Sequence, residues 1–294
     1  SVRGMAAYRI FTDATADMPG FSTAGLPPVV TIPMQVEVNG QEFIYGPDGD
    51  LSVNMFYQMQ RSGKFAHTTQ VSPSVYFEYF TPYLCQGIDI LYLCFSSGMS
   101  GTFQSANLCM EELKHEYPER TILCIDTLCA SVGEGFLVWE AARKQAEGAS
   151  LSELAAWVSE HRLQGCHWFT VDTFEHLRHG GRVSSAAAVM GTALQIKPLL
   201  YVDEQGCLQV KQKLRGRKKA IAEQLLHMER EWMPELGKQV FIGHGDDLQA
   251  AQQLREAVIA RFPEAEIAIA DIGPIIGAHT GPGMLALIYW GHGR

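Results

Sequence analysis

The sequence predicts an α/β protein with two domains, and three observations support that fold class. Up to about residue 165, short β-favouring runs alternate with helical segments, an order typical of a parallel sheet covered on both faces. Beyond that point a hairpin signal appears, which indicates a mixed sheet. The 294 residues can bury two moderate cores. We therefore expect a three-layer α/β/α domain with a mainly parallel sheet at 5–165 and an α/β domain with a mixed sheet at 166–294.

The elements of the first half follow from apolar runs and from helical spacing. Extended segments are predicted at 8–12, 29–36, 88–95 and 121–125. Helices are predicted at 54–61, 74–84, 103–117, 135–147 and 151–162. Ser150 is a suitable N-cap for the last helix, because Glu153 follows it in the position that completes a capping box.

The second half differs in how its strands are joined. Strands are predicted at 168–171, 196–202, 207–213, 239–243, 266–270 and 284–290. Two of them are joined by D-E-Q-G at 203–206, a favourable hairpin turn. Helices are predicted at 218–232 and 248–262, so we expect a mixed sheet with helices on one side.

Composition excludes several classes of protein. A net charge of −9 argues against a nucleic-acid binder, whose affinity comes from neutralising phosphates. The seven cysteines form no C-x-x-C pair and several lie in apolar runs, so we expect buried thiols in a reducing cytoplasm. No membrane span is predicted, because no apolar run is long enough, and the first residues lack the core of a secretory signal.

The motif S-S-G-M-S-G-T at 96–102 is the strongest indication of a binding site. It follows a buried strand and leads into a helix, whose first N–H groups lack partners and carry partial positive charge. Together with the hydroxyls, these groups can hold an anion without a cationic side chain. The glycines match neither nucleotide-binding pattern, so we expect an oxyanion or a carboxylate as the ligand.

Two other segments combine polar residues with glycines or prolines, which restrict or change the backbone conformation. Residues 271–283 contain four glycines and two prolines around His279, which predicts a rigid, tightly turned loop. A purely structural turn is the alternative, and the concentration of special residues favours a function. The segment H-T-T-Q-V-S-P-S at 67–74 precedes a helix, and Ser72 or Ser74 as a helix cap is its simplest interpretation.

With two further segments, these motifs resemble the DegV family of bacterial fatty-acid-binding proteins, which present a fatty acid to a fatty acid kinase. The matching segments occur in the family's order and span nearly the whole chain. They are F-T-D-A-T-A-D-M-P at 11–19, T-T-Q-V-S-P at 68–73, the motif at 96–102, V-D-T-F-E-H-L-R-H-G-G-R-V-S at 171–184 and I-G-A-H-T-G-P-G at 276–283. Departures from the family pattern include Ala14, Val71 and the segment at 45–49.

The resemblance implies a DegV-like fold and a non-enzymatic lipid carrier in the bacterial cytoplasm. The ligand carboxylate would lie between the domains and the acyl chain in a tunnel of the second domain. The resemblance places five residues around the carboxylate: Thr68, Ser96, Ser97, Gly98 and His279. It implies no metal and no cofactor besides the bound fatty acid. A fatty acid kinase is the expected protein partner, with at most transient contact with a membrane surface.

Two cationic segments are further expectations. Arg178 and Arg182 flank a glycine pair, and we expect contact with the kinase or with an acyl phosphate, a solvated loop being the alternative. The segment at 211–219 holds six cations, for which a solvated surface is the favoured interpretation over a docking site.

Two enzymatic alternatives use some of the same residues. In a serine hydrolase, Ser97 and His279 would act with one of the acids Asp126, Asp246 or Asp271, although no G-x-S-x-G elbow is present. In a metal enzyme the ligands would be His244, Asp246, Asp271 and His279. We rank the hydrolase above the metal enzyme.

Overall fold

A computed structural model of the protein describes residues 7–20, 24–183 and 195–294. The start of the predicted first domain at Met5 and the end of the fourth motif at Ser184 lie outside the described residues. The strands, β1 to β13 in chain order, are Tyr8–Asp13, Val29–Ile32, Met34–Val38, Gln41–Tyr45, Ala66–Thr68, Asp89–Cys94, Ile122–Asp126, Gly165–Thr170, Ile196–Val202, Leu208–Arg215, Gln239–His244, Glu266–Asp271 and Leu285–Trp290. The helices, α1 to α9, are Val53–Arg61, Pro73–Cys85, Thr102–Glu116, Ser131–Ala146, Leu151–His161, Glu175–Gly180, Arg217–Glu231, Leu248–Arg261 and Pro274–Thr280.

The first half contains a parallel sheet between two helical layers, as predicted. The strand order is β2-β1-β6-β7, and every pair of neighbours is parallel. Ile10 and Leu91 belong to a cluster that packs against α4 and α5. On the opposite face, Phe11 meets Phe80 of α2 edge to face, with 5.0 Å between ring centroids. Strand residues of this sheet are therefore buried on both faces, which explains their nearly continuous apolar sequence.

The second half contains the predicted mixed sheet, with strand order β10-β9-β8-β13-β11-β12. All its neighbours are antiparallel except β11 and β12. Helices α7 and α8 cover one face through residues such as Met228 and Leu254. The other face is turned towards the first half, where Phe241 meets Phe136 of α4 with 5.2 Å between ring centroids. The boundary at residues 165 and 166 stays a prediction.

The segment predicted as one extended stretch at 29–36 is divided between two sheets. Strand β2 joins the parallel sheet, whereas β3 joins a small antiparallel sheet with the order β4-β3-β5. Pro33 lies between them and has no N–H to donate to a ladder, so the pairing changes there. Strands β4 and β5 were not predicted. The last residue of β5 is Thr68, so this small sheet positions one of the predicted site residues.

The loop predicted around His279 is in part a helix, so that expectation is corrected at 274–280. Pro274 follows Gly273 at the first position of α9, where its missing N–H has no cost. Gly281, with φ of +79°, ends the helix. The glycines and prolines of this segment are therefore start and stop signals around a short helix. Helix α6 in the fourth motif was also not predicted, and it contacts α9.

Neither disulfides nor membrane-spanning helices occur in the described part of the chain. All seven cysteines lie in it as free thiols, and four of them are buried: Cys94, Cys109, Cys129 and Cys166. None of the described helices is both long enough and apolar enough to cross a membrane.

A substitution at Gly135 of α4 tests how tightly the first motif packs against this helix. A Cβ at this position would lie 2.7 Å from the carbonyl carbon of Asp17. Alanine is a better helix former than glycine by about 1 kcal/mol, yet we expect Gly135→Ala to lower the free energy of unfolding, by about 1–3 kcal/mol, because of this overlap. Urea unfolding measures the change. Gly20→Ala is the matched control, since open space surrounds Gly20, and an equal loss in both variants would contradict the prediction.

Candidate functional site

Thr68 and His279 meet in the structure although they are far apart in the chain. The hydroxyl oxygen Oγ1 of Thr68 lies 3.0 Å from Nε2 of His279, within hydrogen-bond distance. Thr68 ends β5, and His279 lies in the last turn of α9. Two segments that the sequence indicated separately thus form one polar site.

A pocket surrounds this pair and is called the polar pocket below. Besides Thr68 and His279, its wall contains the residues Met34, Thr69, Gln70, Phe95, Met99, Ser100, Arg182, Leu208, Ile275 and Ile276. Four of the five sequence motifs or their edges therefore converge here. Thr68 is half-buried and Thr69 is exposed, so the pocket is close to solvent.

The electrostatics of the polar pocket keep His279 neutral and leave a positive charge nearby. Burial, followed by the charges of Arg182 and His67, lowers the pKa of His279 to about 4. The Arg182 guanidinium donates to the carbonyl of Gly180 at 2.7 Å and, more weakly, to that of Met99 at 3.4 Å. The Arg182 guanidinium has no carboxylate partner among the described residues. Together with the Thr68 hydroxyl and the neutral His279 ring, it favours an anionic ligand.

The loop at 96–98 packs against the β9–β10 hairpin. Ser96 is buried, and its hydroxyl donates to the carbonyl of Gly206 at 2.7 Å and accepts the N–H of Gly98 at 3.1 Å. Ser97 is exposed, and its N–H donates to Asp126 Oδ1 at 3.2 Å. From the same loop, Met99 and Ser100 line the polar pocket.

Ser100 is one of the pocket residues that the sequence analysis did not single out. Its hydroxyl lies 2.8 Å from Thr102 Oγ1 and accepts the N–H of Thr102 at 3.1 Å. It therefore lies just before α3 begins at Thr102, next to the N–H groups that were predicted to bind an anion. Its place in S-G-T, directly before the helix, was the available signal.

The two predicted arginines are separated by the end of α6. Arg178 is exposed on the helix, whereas Arg182 follows the helix and lies in the wall of the polar pocket. Gly181, with φ of +65°, forms the turn between them. One short segment thus connects the protein surface with the site.

A second pocket, the apolar pocket, adjoins the first and shares Leu208 and Ile276 with it. It lies between the start of α4 and the inner face of the mixed sheet. Its further lining residues are Ala130, Ser131, Val132, Gly133, His167, Phe169, Val202, Thr280, Met284, Ala286 and Ile288. The two pockets together offer a polar end and an apolar interior.

Helix α9 borders both pockets, and Asp17 of the first motif anchors its start. Oδ2 of Asp17 accepts the N–H of Gly273 at 3.0 Å and the hydroxyl of Ser131 at 2.6 Å. Burial raises the pKa of Asp17 to about 7. A carboxylate at a helix N-terminus is favourable, so this contact joins α9 to α4 of the first half.

Helix α1 holds the other side of α9. Tyr57 donates its hydroxyl to the carbonyl of Ile272 at 2.7 Å, and Gln60 donates its amide to the carbonyl of Gly277 at 2.9 Å. Both donors are buried. The position of the His279 ring is therefore fixed from the first half of the chain.

The hydrolase arrangement does not form among the described residues. His279 bonds to Thr68, and no bond joins it to Ser97. Each proposed acid has another partner: Asp126 accepts backbone N–H groups, Asp246 pairs with Arg61 at 2.9 Å, and Asp271 lies 3.1 Å from His244. Nor do three or more His, Cys, Asp or Glu side chains of the described residues come together in a way that could hold a metal ion.

The pKa of His279 provides a direct test of the electrostatics. We expect a value near 4, and a rise towards the ordinary histidine range in Arg182→Gln, because removing a nearby cation favours the protonated imidazole. NMR titration of the ring resonances measures both values. Arg178→Gln is the control, since Arg178 is exposed and is no cause of the shift. An unchanged pKa in Arg182→Gln would show that burial acts alone.

Comparisons with known proteins agree with this fold. The model of a family described as "Uncharacterised protein, DegV family" matches residues 7–291. A DegV domain-containing protein of Clostridium perfringens is 38% identical over 287 residues, covering 98% of each chain. A fatty-acid-binding DegV family protein from Thermus thermophilus superposes with a TM-score of 0.84 at 29% identity, covering 97% of this chain and 100% of that one. DegV of Bacillus subtilis, a fatty acid binding protein, superposes with a TM-score of 0.81 at 25% identity, covering 98% and 100%. This chain therefore belongs to the DegV family.

Proposed function

We propose that the protein is a non-enzymatic carrier that binds a long-chain fatty acid and presents it to a fatty acid kinase. The observation that supports this proposal most is that a polar and an apolar pocket adjoin and share Leu208 and Ile276 in their walls. The chemistry of the polar wall suits an anionic group, and that of the apolar wall suits a hydrocarbon chain. The fatty-acid-binding relatives from Thermus thermophilus and Bacillus subtilis support the same class of ligand.

The carboxylate end of the ligand belongs with Thr68 and His279. A carboxylate accepts several hydrogen bonds, and each bond to a charged group contributes about 1.5–3 kcal/mol. If Nε2–H of the neutral His279 ring donates to Thr68 Oγ1, the Thr68 hydroxyl keeps its own proton to donate to the carboxylate. The proposal keeps the loop at 96–98 as a further contributor, with Ser97 as the residue whose hydroxyl is exposed.

The acyl chain supplies most of the affinity in this proposal. Burial of hydrocarbon contributes about 0.8 kcal/mol per CH₂ group, so a long chain outweighs the few bonds at the carboxylate. Val202, Leu208 and Ile288 belong to the inner face of the mixed sheet and line the apolar pocket. The predicted tunnel in the second half corresponds to this pocket in the proposal.

In the proposal the kinase approaches the end of α6, where Arg178 and Arg182 lie. Arg178 faces solvent and Arg182 lines the polar pocket, so a partner bound at Arg178 is near the ligand carboxylate. In the proposal Arg182 stabilises the acyl phosphate and Arg178 contacts the kinase. In the proposal, phosphorylation of the fatty acid takes place in the bacterial cytoplasm, and the carrier makes only transient contact with the membrane surface.

Native mass spectrometry of the purified protein tests the central claim. We expect one bound fatty acid per chain, and lipid analysis after denaturation identifies its length and unsaturation. A protein that is purified empty and also fails to bind added fatty acids would contradict the proposal.

Thr68→Val tests the carboxylate contact. Removing the hydroxyl deletes one charge-assisted bond, so we expect fatty acid affinity to fall by about tenfold or more. Ser97→Ala is the matched hydroxyl deletion, and we expect a smaller loss because Ser97 is exposed and outside the wall of the polar pocket. Fluorescent fatty acid titration measures both. A larger effect from Ser97→Ala would move the carboxylate to the 96–98 loop.

Arg178→Ala tests the kinase contact. We expect a several-fold lower rate of fatty acid phosphorylation by a fatty acid kinase, while fatty acid retention stays unchanged, because Arg178 lies on the surface. Arg255→Ala is the control, since Arg255 is exposed on α8 in the second half. Equal rates for all three proteins would remove Arg178 from the kinase interface.

A further inference from the structure

His167 is a polar residue on an otherwise apolar row of the mixed sheet. Alternate residues of β8 face the first half of the protein, and Phe169 and Val171 on this face belong to its apolar core. Across the ladder, His167 pairs with Ile288 and Phe169 pairs with Ala286. The His167 side chain is 3% exposed. A valine or a phenylalanine would be the ordinary residue at such a position.

Neither ring nitrogen of His167 has a hydrogen-bond partner among the described residues. Burial, together with the charge of Arg294, keeps the pKa of this histidine well below the ordinary range, so the ring is neutral. A neutral imidazole has one donor and one acceptor. Leaving both unpaired in the interior costs free energy, and unpaired buried groups of this kind are rare in native proteins.

The other polar side chains of the apolar pocket are already satisfied. The Ser131 hydroxyl donates to Asp17, and the Thr280 hydroxyl donates to the carbonyl of Ile276 at 3.0 Å. His167 is therefore the one polar side chain in the pocket's described wall that lacks a partner. It also lies against Gly133, where even a Cβ would overlap the Nε2 atom of the ring.

The register of the sheet places His167 well away from the polar pocket. Leu208, which lines both pockets, pairs with Val202 of β9. Trp168 pairs with Tyr201, so His167 is next to Val202 in the neighbouring strand. Two strand spacings, about 10 Å, therefore separate Leu208 from His167. A long chain whose carboxylate lies near Thr68 would pass His167 with its middle section.

We propose that His167 binds an oxygen atom in the middle of the acyl chain, so that the protein selects a hydroxy fatty acid over the unsubstituted one. A hydroxyl group can bond to either ring nitrogen, because it can donate to the unprotonated nitrogen or accept from the N–H. Ligand sites commonly combine an apolar wall with a few polar groups that fix orientation. This inference rests on the proposed fatty acid binding.

A competition experiment on the full chain tests the inference. Equal amounts of stearic acid and one hydroxystearic acid are offered to the protein, and native mass spectrometry measures the ratio of bound ligands. A positional series of hydroxystearic acids is used. We expect one mid-chain position to be preferred over stearic acid by about tenfold, the value of one additional hydrogen bond to a buried group.

His167→Leu should abolish this preference while stearic acid still binds. His115→Leu is the matched control, because His115 is exposed on α3 and the same side chain is exchanged. If His167→Leu fails to fold, His167→Gln keeps a donor and an acceptor at this position and should retain part of the preference. The dependence of wild-type binding on hydroxyl position then provides the test.

The outcomes separate this inference from the proposed function. Binding of stearic acid without preference for any hydroxy isomer would overturn the role of His167 and leave the carrier function intact. A crystal structure of the stearic acid complex with one ordered water on each ring nitrogen would agree with that result. Failure of every fatty acid to bind would instead overturn the proposed function itself.

Discussion

The placement of α9 is the constraint on which the site depends. This helix carries His279, yet its start is held by a carboxylate of the first half, because Asp17 accepts the N–H of Gly273. Burial disfavours the charge on Asp17, and its bonds to Gly273 and Ser131 offset part of that cost. The anchor helps to hold the helix that brings His279 next to Thr68. The site therefore requires that both halves pack correctly.

The first motif supports the site without lining the polar pocket. Asp13 is buried at the end of β1, where its Oδ2 accepts the Tyr92 hydroxyl at 2.7 Å and the N–H of Phe95 at 2.9 Å. These bonds fix the end of β6, from which the chain continues to Ser100 in the wall of the polar pocket. Asp17 acts in the same way on α9. Two buried carboxyl groups of one short segment thus help to position two separate walls of the site.

In the proposed function the polar pocket holds the carboxylate and the apolar pocket holds the acyl chain. In the polar pocket, burial and the Arg182 charge keep His279 neutral, so it offers a hydrogen bond without the larger desolvation cost of a second cation. In the apolar pocket, affinity comes from removing hydrocarbon from water, which is not directional. Selectivity among acyl chains must then arise from the shape of the wall and from its few polar atoms. The ring nitrogens of His167 are polar atoms of this kind.

The sequence alone determined the order of the elements, the parallel and mixed sheets, and the segments that carry Thr68 and His279, because apolar periodicity and local motifs are encoded within short stretches. It missed β5, which depends on pairing with β3 far earlier in the chain. It also missed β4 and the helical form of residues 274–280, although β4 follows β3 through a short turn and Pro274 and Gly281 bound the helix locally. It also gave no sign that His167 is buried and unpartnered. Only the tertiary structure decided which hydroxyls face the pocket, because the 96–98 loop is oriented by its contacts with the β9–β10 hairpin more than one hundred residues later.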